Sequence, residues 1–141
     1  MAYRDVAIKY HEQGYNCCQA VVCAFKDQFD LDEKTLFKLT EAYGLGMGNM
    51  QGTCGALSGA LMVMSYLNST GKIGEEMPKS KGQTYQLDRE IVGKFIEQNG
   101  SMICKDLKTP GPKQVPCNMC IARACDILEA ELSNIKGTMF E

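Results

Sequence analysis

A nearly continuous apolar segment, "CGALSGALMVMSYL" at residues 54–67, constrains the fold more than any other part of the chain. Its apolar side chains cover almost the whole circumference of a helix, which is typical of a helix buried on all sides. The segment is shorter than the about 20 residues that cross a bilayer. It therefore predicts a buried central helix at 54–68, whose small residues, Gly55 and Gly59 among them, let neighbouring helices approach closely.

Helical periodicity also dominates the rest of the chain, and the alternation typical of strands is nearly absent. Further helices are predicted at about 3–12, 16–29, 32–44, 81–99 and 117–135. Asn16 and Thr53 are expected to cap two of the helices, and residues 44–53 read as a flexible, glycine-rich connection. A length of 141 residues suits one domain. We therefore expect an all-α fold, a single compact bundle of about five to six helices that forms one domain over residues 1–141.

Charge and termini exclude several classes of protein. The formal net charge is −2 and the pI is about 5.5, so neither nucleic acid nor an anionic membrane is an expected partner. The first residues are polar and amphipathic and lack the apolar centre of a secretion signal. We therefore expect a cytoplasmic protein without membrane insertion. The single histidine, His11, falls on a polar helix and reads as an ordinary surface residue, which leaves Cys–His hydrolysis with little support.

The chain contains eight cysteines, although the cytosol keeps thiols reduced and rarely uses structural disulfides. Four of them fall in the first turn of a predicted helix: Cys17, Cys54, Cys117 and Cys120. The N-terminus of a helix presents unpaired N–H groups and partial positive charge, which stabilise a thiolate and lower the pKa of its thiol. We therefore expect the sulfur atoms of Cys17, Cys54 and Cys120 to converge, and the pKa of Cys54 to lie below that of a free thiol.

The other four cysteines differ in position. Cys23 and Cys125 fall on apolar helix faces and are expected to pack in the core, as free cysteines often do. Cys18 is undecided, because it adjoins Cys17 but points about 100° away from it on a helix. Cys104 lies outside the predicted regular helices, where a thiol can turn toward a site, and it remains a candidate.

Four segments carry a resemblance to a known family: "GYNCCQAVV", "GTCGALSGALMV", "ICKDL" and "CNMCIARACDILE". In this order they resemble the C_GCAxxG_C_C family, small proteins with four dispersed cysteines and a CGAxxG segment, to which redox activity is ascribed. The resemblance implies that the family cysteines are Cys17, Cys54, Cys104 and Cys120. It leaves open whether Cys117 or Cys120 is the operative thiol of the CxxC pair.

The same resemblance extends to a domain of the split-Soret cytochromes, for which an iron–sulfur site has been proposed. The chain itself has no haem-attachment motif, because Ile121 follows "CNMC" where a histidine is needed. Family members are often encoded near transporters, which implies a transporter-associated system as a partner besides an unknown redox partner. A homodimer stays open.

Three functions follow from these observations. Cys17, Cys54, Cys104 and Cys120 could hold an iron–sulfur cluster for electron transfer, with Cys117 as a further cofactor-binding candidate. The same thiols could instead carry out thiol–disulfide exchange. The alternatives of another class are a non-catalytic structural zinc module, bound through four thiolates, and an accessory protein of a transporter system without any cofactor. The sequence does not decide among them.

Overall fold

The computed structural model describes residues 1–74 and 79–139, with side chains described for 1–74 and 80–134. Seven α-helices of five or more residues form in this part of the chain: α1 (Tyr3–Glu12), α2 (Cys17–Ala24), α3 (Glu33–Thr40), α4 (Gly55–Asn68), α5 (Lys79–Asn99), α6 (Cys104–Lys108) and α7 (Cys117–Met139). A four-residue helical turn at Gly44–Met47 lies between α3 and α4. The described residues contain no strand, so the all-α prediction is confirmed. The count exceeds the five to six predicted helices because α6 forms where no regular helix was predicted.

Local sequence signals account for where several helices begin and end. Asn16 caps α2 in a capping box, in which the Gln19 N–H donates to Asn16 Oδ1 over 2.9 Å and the Asn16 N–H donates to Gln19 Oε1 over 3.0 Å. The α2 helix ends at Ala24, short of the predicted residue 29, and a 3₁₀ turn at Lys26–Gln28 follows it. The α5 helix ends at Asn99, as predicted, because the next residue, Gly100, adopts a left-handed conformation that stops the helix.

The α4 helix is the buried centre of the fold, as predicted. Its inner side chains are fully buried (Ala56, Leu57, Ala60, Val63 and Met64), and it packs against α2, α5 and α7. A Cβ atom placed on Gly55 would lie 3.1 Å from Cys18 N, and one on Gly59 would lie 3.1 Å from Cys18 O. The two glycines therefore let α4 lie against the backbone of α2, where Cys17 is located.

The N-terminus of α4 differs from the prediction by one residue. Cys54, not Thr53, occupies the N-cap position, with φ −49° and ψ 130°. Thr53 instead pairs with Ile103 in an isolated antiparallel bridge. Because an N-cap side chain faces the free N–H groups of the first turn, the Cys54 sulfur lies at the helix terminus itself.

The connection over residues 44–53, which was expected to be flexible, is tied to the neighbouring chain by backbone hydrogen bonds. Left-handed backbone occurs at three residues other than glycine: Leu45, Met47 and Met50. Such conformations are costly for these residues and persist only where the surroundings hold them. The segment is bonded to the chain around α6 by three backbone contacts: Cys54 N to Met102 O at 2.7 Å, Cys104 N to Gly52 O at 3.0 Å, and Lys105 N to Met50 O at 2.7 Å. This connection therefore places Cys104 beside Cys54.

Within the described residues, every helix is too short or too polar to cross a membrane.

Candidate cysteine site

The first turns of α2, α4, α6 and α7 meet around a cavity of about 170 Å³. Four cysteines line it, one from each of these helix starts: Cys17, Cys54, Cys104 and Cys117. The remaining lining residues are His11, Asn16, Leu45, Gly55 and Lys108. The fifth candidate, Cys120, lies one helical turn beyond Cys117, where it is fully buried and hydrogen-bonded to Cys54. The structure thus brings all five candidate thiols together.

The outer pair consists of Cys17 and Cys117, which are both half-buried and hydrogen-bonded to each other. The hydrogen bond with Cys17 is the largest cause that lowers the pKa of Cys117, to about 5; the Lys108 ammonium lowers it further. The same bond, with burial, raises the pKa of Cys17 above its ordinary range. The pKa values of the two thiols of the outer pair are therefore shifted in opposite directions, that of Cys117 downward and that of Cys17 upward.

The inner pair consists of Cys54 and Cys120, which are 2% and 0% exposed. The hydrogen bond with Cys120 is the largest cause that lowers the pKa of Cys54, to about 7. Backbone N–H groups of Ala56 and Leu57, at the start of α4, lower it as well. The hydrogen bond to Cys54 raises the pKa of Cys120. The expected direction for Cys54 therefore holds, although a neighbouring thiol contributes more than the helix terminus.

Lys108 is a site residue that the sequence analysis missed. Its Nζ atom donates to the Val115 carbonyl oxygen at 3.0 Å, lies 4.0 Å from Cys120 Sγ, and is hydrogen-bonded to Cys117. Burial lowers the pKa of Lys108, but the hydrogen bond to Cys117 and the charges of the nearby sulfurs outweigh it, so its pKa is raised. The sequence feature that could have indicated Lys108 was its spacing from the candidate Cys104, which it follows by one helical turn.

His11 lies at the site and is half-buried, in contrast to its interpretation as an ordinary surface residue. Its Nδ1 is 2.8 Å from Asn118 Oδ1, which orients the ring toward the start of α7. The ligand atoms of His11, Cys17 and Cys117 lie within 4.8 Å of one another, a grouping that could hold a metal ion. Periodicity on α1 gave no sign of this contact, because it depends on how α1 packs against α7.

The remaining cysteines belong to the core. Cys18, Cys23 and Cys125 are fully buried, and burial is the largest cause that raises the pKa of each. This location agrees with the expectation for Cys23 and Cys125, and it places the undecided Cys18 with them. Cys104 begins the short helix α6, where the sequence predicted no regular helix, and burial raises its pKa.

Comparison with known proteins gives one match. A family model with the description "Putative redox-active protein (C_GCAxxG_C_C)" matches residues 15–131, which include all eight cysteines. Neither the curated proteins nor the solved structures contain a match. Because the family model covers most of the chain, the protein belongs to the C_GCAxxG_C_C family.

Proposed function

We propose that this protein transfers electrons through an iron–sulfur cluster held by the cysteines of the central cavity. The observation that carries the proposal is the convergence of four thiols, from four separate segments of the chain, on one cavity of about 170 Å³. Membership of a family described as redox-active supports the same class of function. Cysteine thiolates are the usual ligands of such clusters, and four of them complete the common binding set.

The residues around the cavity fit this group chemically. Cys17, Cys54, Cys104 and Cys117 line the cavity and would hold the cluster, while Cys120 lies behind Cys54 and would stabilise it by a hydrogen bond. Cys117 is therefore our choice for the operative thiol of the CxxC pair. A bound cluster would accept and release single electrons. The chain's own contribution would be to hold the thiolates, with N–H groups at the start of α4 and the Lys108 ammonium offsetting their charge.

A single structural zinc ion has weaker support. Zinc in such a site binds four ligands, with sulfur at about 2.3 Å, so the ligand atoms must lie close together. Within the part of the chain that the structure describes, the compact group of metal-ligand type is His11, Cys17 and Cys117, which supplies two thiols rather than four. The wider spread of the thiols around the cavity suits a larger inorganic group.

Thiol–disulfide exchange is a second candidate, supported by the two hydrogen-bonded pairs. In each pair one thiol has a lowered pKa and its partner a raised one, which resembles an attacking thiolate beside a resolving thiol. Formation of a disulfide from the thiolate and the thiol of a pair would release two electrons to an external oxidant and one proton, that of the thiol. Cys117 would attack first, because it is half-exposed whereas Cys54 is buried.

We place either activity in the cytoplasm, with a separate protein as redox partner. The reducing conditions there keep thiols free for ligation or exchange. The link of the family to transporters makes a transporter-associated system a proposed partner, and a homodimer is a further proposal.

The deciding experiment is strictly anaerobic purification followed by analysis of iron, acid-labile sulfide and zinc, with visible and electron paramagnetic resonance spectra. We expect iron and sulfide in equal amounts, and their loss in Cys17→Ser, Cys54→Ser, Cys104→Ser and Cys117→Ser variants. Cys125→Ser is the matched control, because this thiol is buried away from the cavity.

The other functions give different results in the same preparation. A colourless protein with one zinc ion would support the structural zinc module. A metal-free protein that gains one or two disulfides on mild oxidation, mapped by mass spectrometry to the outer and inner pairs, would support exchange. Metal-free thiols whose replacement changes nothing would contradict both proposals and favour the accessory protein.

A further inference from the structure

Lys108 brings a positive charge to the thiols, and no carboxylate of the described residues lies beside it. Two other lysines form ion pairs, Lys26 with Glu33 and Lys94 with Glu131. For Lys108, in contrast, no carboxylate oxygen among the described residues lies within 4.0 Å of Nζ. Its contacts are the Val115 carbonyl oxygen and the sulfur atoms of the CxxC pair. The charge of this ammonium is therefore directed at sulfur.

The position of the ammonium is fixed from both ends. The stem of Lys108 begins at the last residue of α6, whose first residue is Cys104. The backbone N–H of Val115 donates to the Leu107 carbonyl at 2.9 Å, which holds the carbonyl of Val115 near the end of α6. Since Lys108 Nζ donates to that carbonyl, the ammonium stays between α6 and the start of α7. A lysine on the surface would not be held in this way.

We propose that Lys108 is a positioning residue whose fixed positive charge compensates the sulfur charges at the cysteine cavity and raises the reduction potential of the site. This inference rests on the proposed redox function, and it holds for both of its chemical forms. Reduction adds negative charge to a cluster, and reduction of a disulfide adds two electrons to the sulfur atoms that the Lys108 ammonium faces. In both cases a nearby cation stabilises the reduced state more than the oxidised state.

The test compares the midpoint potentials of four proteins: the unchanged chain, Lys108→Gln, Lys108→Arg and Lys105→Gln. Lys105 is the matched control, because it is exposed on the same short helix. We expect Lys108→Gln to lower the equilibrium constant for reduction of the site about tenfold. This corresponds to a shift of the midpoint potential to more negative values, by about 30 mV for a two-electron couple and about 59 mV for a one-electron couple. Lys108→Arg retains the charge and should restore most of the potential, while Lys105→Gln should leave it unchanged.

Two readouts separate this inference from the proposed function. The potential of the anaerobically purified protein is measured by mediated titration, and that of the metal-free protein is measured in glutathione buffers with mass-spectrometric counting of thiols. If neither form of the unchanged chain shows a couple that depends on Cys117, the proposed function and the inference both fail. If the couple is present but Lys108→Gln and Lys105→Gln give the same potential, the inference alone is overturned. Lys108→Met keeps the aliphatic stem, and it replaces Lys108→Gln if the latter does not fold by circular dichroism.

Discussion

The replacement of Gly46 by alanine tests whether the strained connection before α4 positions Cys104. Gly46 has φ +55°, and a Cβ atom added to it would lie 2.4 Å from Cys104 Cβ and 3.0 Å from the Gly52 carbonyl oxygen. Both atoms are held in place, because Cys104 N donates to that same carbonyl. The added methyl group therefore has to displace either the connection or the start of α6.

The magnitude follows from two contributions. Left-handed backbone costs an alanine about 1–2 kcal/mol relative to glycine. Forcing an extra methyl group into a packed site costs about 1–3 kcal/mol more. We therefore expect Gly46→Ala to lower the free energy of unfolding by about 2–5 kcal/mol.

Gly48 supplies a matched control in the same connection. It is also left-handed, with φ +83°, but a Cβ atom added to it would meet no heavy atom within 4 Å. Gly48→Ala should therefore show the backbone cost alone, about 1–2 kcal/mol. The difference between the two variants isolates the collision with Cys104.

Urea denaturation followed by far-ultraviolet circular dichroism, in reducing and anaerobic buffer, measures both free energies. The iron and sulfide content of each purified variant, or its count of oxidisable thiols, reports on the site. We expect Gly46→Ala to lose this content even where it remains folded, and Gly48→Ala to retain it. Equal destabilisation by the two substitutions, or an unchanged site in a folded Gly46→Ala protein, would refute the reasoning.

Three further predictions concern the thiols themselves. The rate of Cys54 alkylation in the metal-free protein should rise with pH through a midpoint near 7, because the thiolate of Cys54 forms above a pKa of about 7. Cys120→Ala should move that midpoint upward, because it removes the hydrogen bond that contributes most to the lowered pKa of Cys54. A midpoint that does not respond to Cys120→Ala would contradict the pairing. Cys125→Ser should cost about 1–3 kcal/mol of unfolding free energy, since it buries a hydroxyl group in the core, yet leave the site intact. Cys117→Ser should abolish metal binding or thiol oxidation at the site and change the free energy of unfolding little. If metal analysis and denaturation instead show that Cys125→Ser loses the site and Cys117→Ser only loses stability, our assignment of the functional thiols is wrong.

Much of the fold could be predicted from local sequence patterns. The apolar circumference of residues 54–67 predicted the buried central helix, and Asn16 predicted the cap that begins α2. Both signals depend on residues within a few positions of one another, so they can be recognised without knowledge of the tertiary structure. The convergence of Cys17, Cys54 and Cys120 was also predictable in outline, because each was expected at the start of a helix, where backbone N–H groups favour negative charge.

The tertiary structure decided how the thiols are paired and what surrounds them. Helical periodicity tells which face of a helix is buried but not which helix covers it, so the pairs Cys17–Cys117 and Cys54–Cys120 could not be read from spacing. Lys108 was missed for the same reason, since its contacts with sulfur cross from α6 to α7.

The sequence by itself determined an all-α fold, a buried helix at its centre and a set of thiols at helix starts, because these depend on the period and polarity of nearby residues. Which thiol of the CxxC pair faces the cavity depended on the packing of α1, α2, α4 and α6 around the start of α7. That packing in turn depended on close contacts between distant residues, such as Gly55 with the backbone of Cys18 and Gly46 with Cys104. Such contacts depend on how the helices fit together in three dimensions, and they cannot be read from local patterns of residues along the chain.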